Sequence, residues 1–206
     1  MPGITSSFGN MFSFLGLLAP LLLTFFVAAS SLFNANLKGL VYLGGLMTAC
    51  VVNLFFINAI KSDMPANADV ICHLWDIDFL SSLNNYNSPS VGSMIMGFTI
   101  IYLLLPMIAH NQVNYPMIAT MLFLFGLNAS VNISSQCNKI DGIFLGALSG
   151  ILLGMCWYGA FRSAGLDSLL YYPEMQSNNV ICKRPSKQTF KCSVYKNGQI
   201  VSTMAA

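Results

Sequence analysis

Charged residues are scarce in this chain of 206 residues, where Asp, Glu, Lys and Arg together make up 8%. An ordinary soluble domain has about a quarter of its residues in these four types. No charged residue occurs between Phe79 and Asn138, and Lys38 is the only one among the first sixty residues. Apolar residues make up 55% of the chain, and the mean hydropathy is +0.66. This composition excludes a soluble globular protein and indicates a chain that is mainly surrounded by lipid.

Histidine is also scarce, with two residues in the whole chain. One of them, His73, lies in a loop beside Asp76 and Asp78, a set that suggests a metal site or a membrane enzyme. The loop contains no second histidine and no glycine-rich phosphate-binding segment, and Asp and His groups of this kind need such partners. We therefore expect no enzyme activity and no cofactor or metal, and we keep a catalytic loop only as the weakest alternative.

Five apolar stretches are long enough, or nearly so, to cross a bilayer, which takes about 20 residues. They run from Met11 to Phe33, Leu37 to Ile60, Val91 to Ala109, Pro116 to Val131 and Gly142 to Phe161. The fourth is the shortest and ends in polar residues, so four spans remain an alternative. Because the connections between spans are short, neighbours run antiparallel. The sequence predicts an all-α integral membrane protein with an antiparallel bundle over residues 1–162 and an extramembrane loop over 61–90.

Basic residues are distributed unevenly across this predicted topology. With five spans, the two ends of the chain lie on opposite sides of the membrane. The side that holds the C-terminal tail has seven Lys or Arg residues and two acidic residues, whereas the other side has two and five. Since cytosolic segments near spans are enriched in Lys and Arg, the tail is predicted to be cytosolic.

The six cysteines divide according to the same topology, and Cys182 and Cys192 fall in the predicted cytosolic tail, where they are expected to be reduced. Cys72 and Cys137 fall in the two loops on the predicted non-cytosolic side, where the compartment is oxidising, so they are candidates for a disulfide. Cys50 and Cys156 lie within spans and are expected to be small packing residues.

Glycine recurs at every fourth position of the fifth span. The four residues are Gly142, Gly146, Gly150 and Gly154. A step of four residues places them on one face, where the absence of Cβ atoms lets another helix approach closely. We predict that this face packs inside the bundle, with self-association of two protomers as the alternative. The second span, which carries Gly44 and Gly45, is the expected partner helix.

Three asparagines are among the polar residues within the spans. Asn53 and Asn58 lie on the second span and Asn128 on the fourth. Polar residues in a membrane often mark a transport pathway. None of these is a charged group of the kind that proton or ion coupling uses, so we favour hydrogen bonding between helices and keep a channel or transporter as the alternative.

The last stretch, residues 163–206, is predicted to be a basic tail outside the membrane. Its cations after Glu174, and the aromatic residues between them, are Lys183, Arg184, Lys187, Phe190, Lys191, Tyr195 and Lys196. Asn197-Gly198 between two strand-like runs predicts a β-hairpin, because a type I′ turn needs positive φ at both central residues. In this hairpin Tyr195 would lie opposite Ile200, and Val194 opposite Val201.

An isolated hairpin is only marginally stable in water. We therefore expect the tail to bind a protein partner at the membrane surface, with anionic lipid as a second possible counterpart and no specific nucleic acid.

The segment from Cys182 to Gly198 resembles stretches of uncharacterised multi-span membrane proteins of large icosahedral DNA viruses, especially those of algae. The resemblance implies an internal virion membrane beneath an icosahedral shell, with the basic tail facing the capsid. It implies a structural membrane protein, a minor capsid component that links the bilayer to the capsid layer.

Overall fold

A computed structural model of the chain describes residues 8–63, 72 and 86–170, together with the backbone of 191–196 and 199–205. Five helices dominate these residues: α1 (Phe8–Phe33), α2 (Lys38–Ile60), α3 (Val91–Ala109), α4 (Tyr115–Ser134) and α5 (Ile140–Ser163). All five are long and apolar enough to cross a membrane. The prediction of a helical fold with five helices of membrane-spanning length is confirmed, and the predicted bounds agree with the observed ones to within three residues at each end.

The fourth helix is longer than its apolar run because its polar residues bond within the helix. At its start, the Asn114 side-chain oxygen accepts a hydrogen bond from the Met117 amide, 3.3 Å away. Near its end, Asn132 Nδ2 donates to the carbonyl oxygen of Asn128 at 2.8 Å. The Ser130 hydroxyl donates to a carbonyl oxygen one turn earlier. These bonds let α4 continue through a stretch where hydropathy alone predicts its end.

Short elements close the two ends of the bundle. At one end, strand β1 (Ser62–Asp63) pairs antiparallel with strand β2 (Tyr86–Ser88), which joins the two ends of the loop between α2 and α3. At the other end, α5 is followed by a 3-10 turn at Asp167–Leu169. The next residue, Leu170, is buried against the helices.

Helix α3 occupies the centre of the bundle and contacts all four other helices. Its aromatic residues Phe98 and Tyr102 are fully buried and stack with ring centroids 5.9 Å apart. Tyr42 of α2 completes this cluster, with its ring 5.7 Å from that of Tyr102. The outer helices instead expose large apolar side chains, such as Phe25 and Phe144. This arrangement, with a packed centre and an apolar outer surface, suits a lipid environment.

The tail contributes two strands whose backbone the structure describes, β3 (Lys191–Lys196) and β4 (Gln199–Ala205). They pair antiparallel, with Tyr195 opposite Ile200 and Val194 opposite Ser202 rather than the predicted Val201. The register shifts between the two residues of β3, which accounts for the difference. The turn residues lie outside the described part of the chain, so the hairpin as a whole stays a prediction.

Candidate functional site in the helix interfaces

The glycine face of α5 lies directly against the backbone of α3. Its members Gly142, Gly146, Gly150 and Gly154 are all buried. A Cβ atom at Gly146 would collide with the carbonyl oxygen of Ser90, and one at Gly150 with the carbonyl oxygen of Met94. Because the neighbouring atoms are backbone, no change of rotamer can relieve such a collision. The two helices therefore depend on these glycines to reach their observed separation.

The contact is reciprocal, since α3 also presents a glycine. A Cβ atom at Gly97 would lie 2.6 Å from the carbonyl oxygen of Ala147 on α5. At the end of the interface, the Ser90 amide donates a hydrogen bond to the Gly142 carbonyl oxygen, 2.9 Å away. The expectation that the second span would be the partner of the α5 glycines is wrong, because α3 carries small residues on its matching face.

Helix α2 receives a large side chain from α5 at its own glycines. The indole ring of Trp157 fills the space above Gly45, where a Cβ atom would lie 2.6 Å from Trp157 Cδ1. The indole nitrogen Nε1 donates to the carbonyl oxygen of Val41 at 3.2 Å. The glycines of α2 thus form a groove that holds the Trp157 side chain, and they do not bring two backbones into contact.

The interface between α1 and α4 is held by a different device, which begins with a proline. Pro20 lies inside α1 and has no amide hydrogen, so the carbonyl oxygen of Gly16 one turn earlier lacks its usual donor. Asn128 of α4 supplies that donor, with Nδ2 2.7 Å from the Gly16 oxygen. Asn128 is 1% exposed, and a bare carbonyl in such a place would cost about 1–3 kcal/mol. The Asn128 side chain therefore supplies the hydrogen bond that the Gly16 carbonyl oxygen lacks because of Pro20.

A ladder of asparagines extends from this bond to the end of α4. Asn132 Nδ2 donates to the Asn128 carbonyl oxygen, and Asn138 Nδ2 donates to Asn132 Oδ1 at 2.9 Å. The amide of Cys137 donates to the Asn132 carbonyl oxygen at 2.9 Å. Two side-chain oxygens of the ladder, Asn128 Oδ1 and Asn138 Oδ1, find no hydrogen-bond partner among the described residues.

The other asparagines of the predicted polar set lie elsewhere. Asn53 is fully buried and donates to the Pro89 carbonyl oxygen at 3.4 Å. The Ser149 hydroxyl, which donates to the Gly146 carbonyl oxygen at 2.8 Å, lies 3.4 Å from Asn53 Oδ1. Asn58 is exposed near the end of α2. The structure therefore divides Asn53 and Asn128 between two interfaces, α2 with α5 and α1 with α4.

A disulfide joins Cys72 to Cys137, with an S–S distance of 2.08 Å. It connects the loop between α2 and α3 to the link between α4 and α5, across 65 residues of sequence. The loop residues His73, Asp76 and Asp78 lie outside the described part of the chain. Within the described part, no group of three or more His, Cys, Asp or Glu residues is positioned to hold a metal ion.

The predicted docking residues of the tail are only partly covered by the structure. Lys183, Arg184, Lys187 and Phe190 lie outside the described residues, and Lys191, Tyr195 and Lys196 are described by their backbone alone.

The bond between α1 and α4 was not anticipated from the sequence. A proline inside an apolar span signals a carbonyl oxygen without a donor, so Pro20 points to Gly16. It does not identify the donor, which lies 112 residues further along the chain. No protein-family model, no curated protein and no solved structure matches this chain.

Proposed function

We propose that this chain is a structural membrane protein that attaches a protein layer to a bilayer. The helical bundle is the anchor, and the basic tail is the segment that binds the layer. The observation that carries this proposal is the use of the buried polar groups in α1, α2 and α4. Asn128 of α4 binds a backbone carbonyl oxygen of α1, and Asn53 of α2 contacts Pro89, just before α3, and Ser149 of α5, so both side chains are used in contacts inside the bundle.

A transport function would need polar side chains that follow one another through the bundle. Asn53 and Asn128 serve different helix pairs, and the contact between α3 and α5 is closed by backbone atoms against Gly146 and Gly150. These features favour an anchor over the channel or transporter alternative. A close-packed anchor also suits a role in assembly, because it holds the exit point of the tail in a fixed position.

The partner of the tail is proposed from charge and from resemblance. All five charged residues after Glu174 are basic, so an acidic protein surface is the complementary partner. The resemblance of Cys182 to Gly198 to viral membrane proteins implies that this surface is the inner face of an icosahedral capsid. The membrane would then be the internal membrane of a virion.

The orientation that this requires places the tail on the cytosolic side, where a capsid assembles. The excess of Lys and Arg on the tail side supports it. The disulfide between Cys72 and Cys137 also supports it, since disulfides persist in oxidising compartments and these cysteines belong to the opposite end of the bundle.

Deletion of residues 171–206 tests the proposal. We expect the shortened protein to insert in membranes and to retain its disulfide, but to be absent from assembled particles. The matched control replaces the tail with an unrelated sequence of equal length and equal Lys and Arg content. If this control protein is incorporated as well as the natural one, the tail is only a topology signal and the proposal is wrong. Solute flux into liposomes that contain the purified protein tests the transport alternative.

A further inference from the structure

The last turns of α5 carry an arginine that is held in place by its own helix. Arg162 Nη1 donates to the Tyr158 hydroxyl oxygen at 2.7 Å. The guanidinium carbon lies 5.9 Å from the centre of the Tyr158 ring. A guanidinium has five N–H donors, so this bond leaves others for a second acceptor. Arg162 is exposed, while Tyr158 is buried against the bundle.

The surroundings of Arg162 mark the level of the membrane boundary. Trp157 and Phe161 lie in the same two turns, with ring centroids 5.2 Å apart, and tryptophan is enriched at the head-group level. Beyond Ser163 the chain leaves the helix through Gly165, whose φ is 71°. Asp167 follows in the next turn, and its carboxylate attracts the Arg162 guanidinium electrostatically.

An exposed apolar stripe runs from Arg162 toward the middle of α5. Gly159, Met155 and Leu152 lie three, seven and ten residues before Arg162. This spacing places all four residues on one helix face. Leu152 is 50% exposed, and no atom lies within 4 Å of a Cβ placed at Gly159. Ten residues of helix span about 15 Å, which is half of a hydrocarbon core of roughly 30 Å.

We propose that this face of α5 binds one anionic phospholipid. The lipid phosphate accepts hydrogen bonds from the Arg162 guanidinium, and one acyl chain passes over the open notch at Gly159 and along Met155 and Leu152. Arginine suits this role because its planar fork matches the phosphate oxygens and because Tyr158 fixes its orientation before the lipid binds. The stripe has the length of one leaflet, which fits a lipid rather than a soluble phosphate compound.

The full-length protein in nanodiscs tests this site. Its melting temperature is measured in phosphatidylcholine alone and in phosphatidylcholine with 20 mol% phosphatidylglycerol, and the difference between the two lipids is compared within each variant. We expect the natural protein to melt about 2–4 °C higher with phosphatidylglycerol. Arg162→Gln should lose most of this increase, and Arg162→Lys should retain part of it. Tyr158→Phe keeps the ring but loses the hydroxyl, so it should lower the increase as well.

The matched control is Lys139→Gln, which removes an exposed cation at the opposite end of α5 and should leave the increase unchanged. The tail cations are present in every variant, so their contribution is common to all. If Arg162→Gln shows the same increase as the natural protein, the tail or the general surface charge is responsible, and the proposed site is wrong. Native mass spectrometry gives a second readout, because the natural protein should retain one more phosphatidylglycerol than Arg162→Gln.

Discussion

The two helix pairs α3–α5 and α1–α4 are joined by opposite means. Between α3 and α5, glycines such as Gly150 have no side chain, and the two backbones are therefore in contact. Between α1 and α4 a side chain is added, because Asn128 donates to the carbonyl oxygen that Pro20 leaves free. The first contact depends on shape and the second on one hydrogen bond.

The same comparison extends to the glycine of α1. A Cβ atom at Gly16 would lie 2.6 Å from Cγ2 of Val131 and 2.7 Å from Cδ2 of Leu127. The Leu127 atom is the end of a flexible side chain, which can turn away, whereas the nearest atoms to Gly150 are backbone atoms and cannot. The α3–α5 pair is thus the rigid part of the bundle, and the α1–α4 pair is the more tolerant part.

The largest expected effect comes from filling the rigid interface. Gly150→Leu would drive a side chain into the Met94 carbonyl and the Phe98 amide. We expect a loss of at least about 3 kcal/mol in the free energy of unfolding, because overpacking a closed interface displaces the backbone. Unfolding by dodecyl sulfate titration in mixed micelles, followed by circular dichroism, measures this loss.

Gly159→Leu on the same helix is the control, since no atom lies within 4 Å of its Cβ position. It should change the free energy of unfolding by less than about 1 kcal/mol. Gly16→Ala should fall between the two variants. An equal loss for Gly150→Leu and Gly159→Leu would show that the close contact between α3 and α5 is not responsible, and the contrast between the two pairs would disappear.

The second effect concerns the disulfide, which is attached to the link between α4 and α5. The double variant Cys72→Ala, Cys137→Ala should lose about 2–4 kcal/mol, because the bond closes a loop of 65 residues in the unfolded chain. Addition of reductant should lower the stability of the natural protein to that of the variant. If reductant lowers the stability of the variant by the same amount, the effect does not come from this disulfide.

Hydropathy was sufficient to predict the five helices, because lipid-facing and core residues are both apolar here. It could not predict the partner of each helix. Small residues occur on α2 as well as on α3, and the sequence does not show that Trp157 occupies the glycines of α2. Helix pairing depends on which faces fit in three dimensions, and the period of one helix does not contain that information.

The polar residues of α4 are a second feature whose structure could not be predicted from the sequence. The run of Asn and Ser after Leu127 predicts an early end of the fourth span, but Asn132 bonds back to the helix and α4 continues to Ser134. The acceptor of Asn128 is equally hidden, because a bond across 112 residues leaves no local pattern.

The third prediction tests whether Asn128 replaces the hydrogen-bond donor that Pro20 lacks. Asn128→Leu removes the donor while keeping a similar volume, and it should cost about 1–2 kcal/mol because the Gly16 carbonyl oxygen is left bare. In a Pro20→Ala background, the new amide at position 20 can donate to that oxygen within α1. The cost of Asn128→Leu should then fall close to zero. A thermodynamic cycle of the four proteins measures this coupling, and equal costs in both backgrounds would refute the assignment.

The smallest effect is expected where α2 meets α3, since the hydrogen bond there joins two hydroxyl groups. Thr99 Oγ1 donates to the carbonyl oxygen of Ile95 at 2.8 Å, so it accepts from the Tyr42 hydroxyl, 2.7 Å away. Tyr42→Phe leaves the Thr99 hydroxyl with its own acceptor, and it should therefore cost only about 0.5–1 kcal/mol. Thr99→Val removes the same hydrogen bond. The double variant should therefore lose much less free energy of unfolding than the sum of the two single variants. Full additivity of the two in the double variant would mean that the bond contributes nothing. If Tyr42→Phe lowers the free energy of unfolding more than Asn128→Leu does, the Tyr42–Thr99 hydrogen bond contributes more to stability than the Asn128–Gly16 hydrogen bond, and the expected order is wrong.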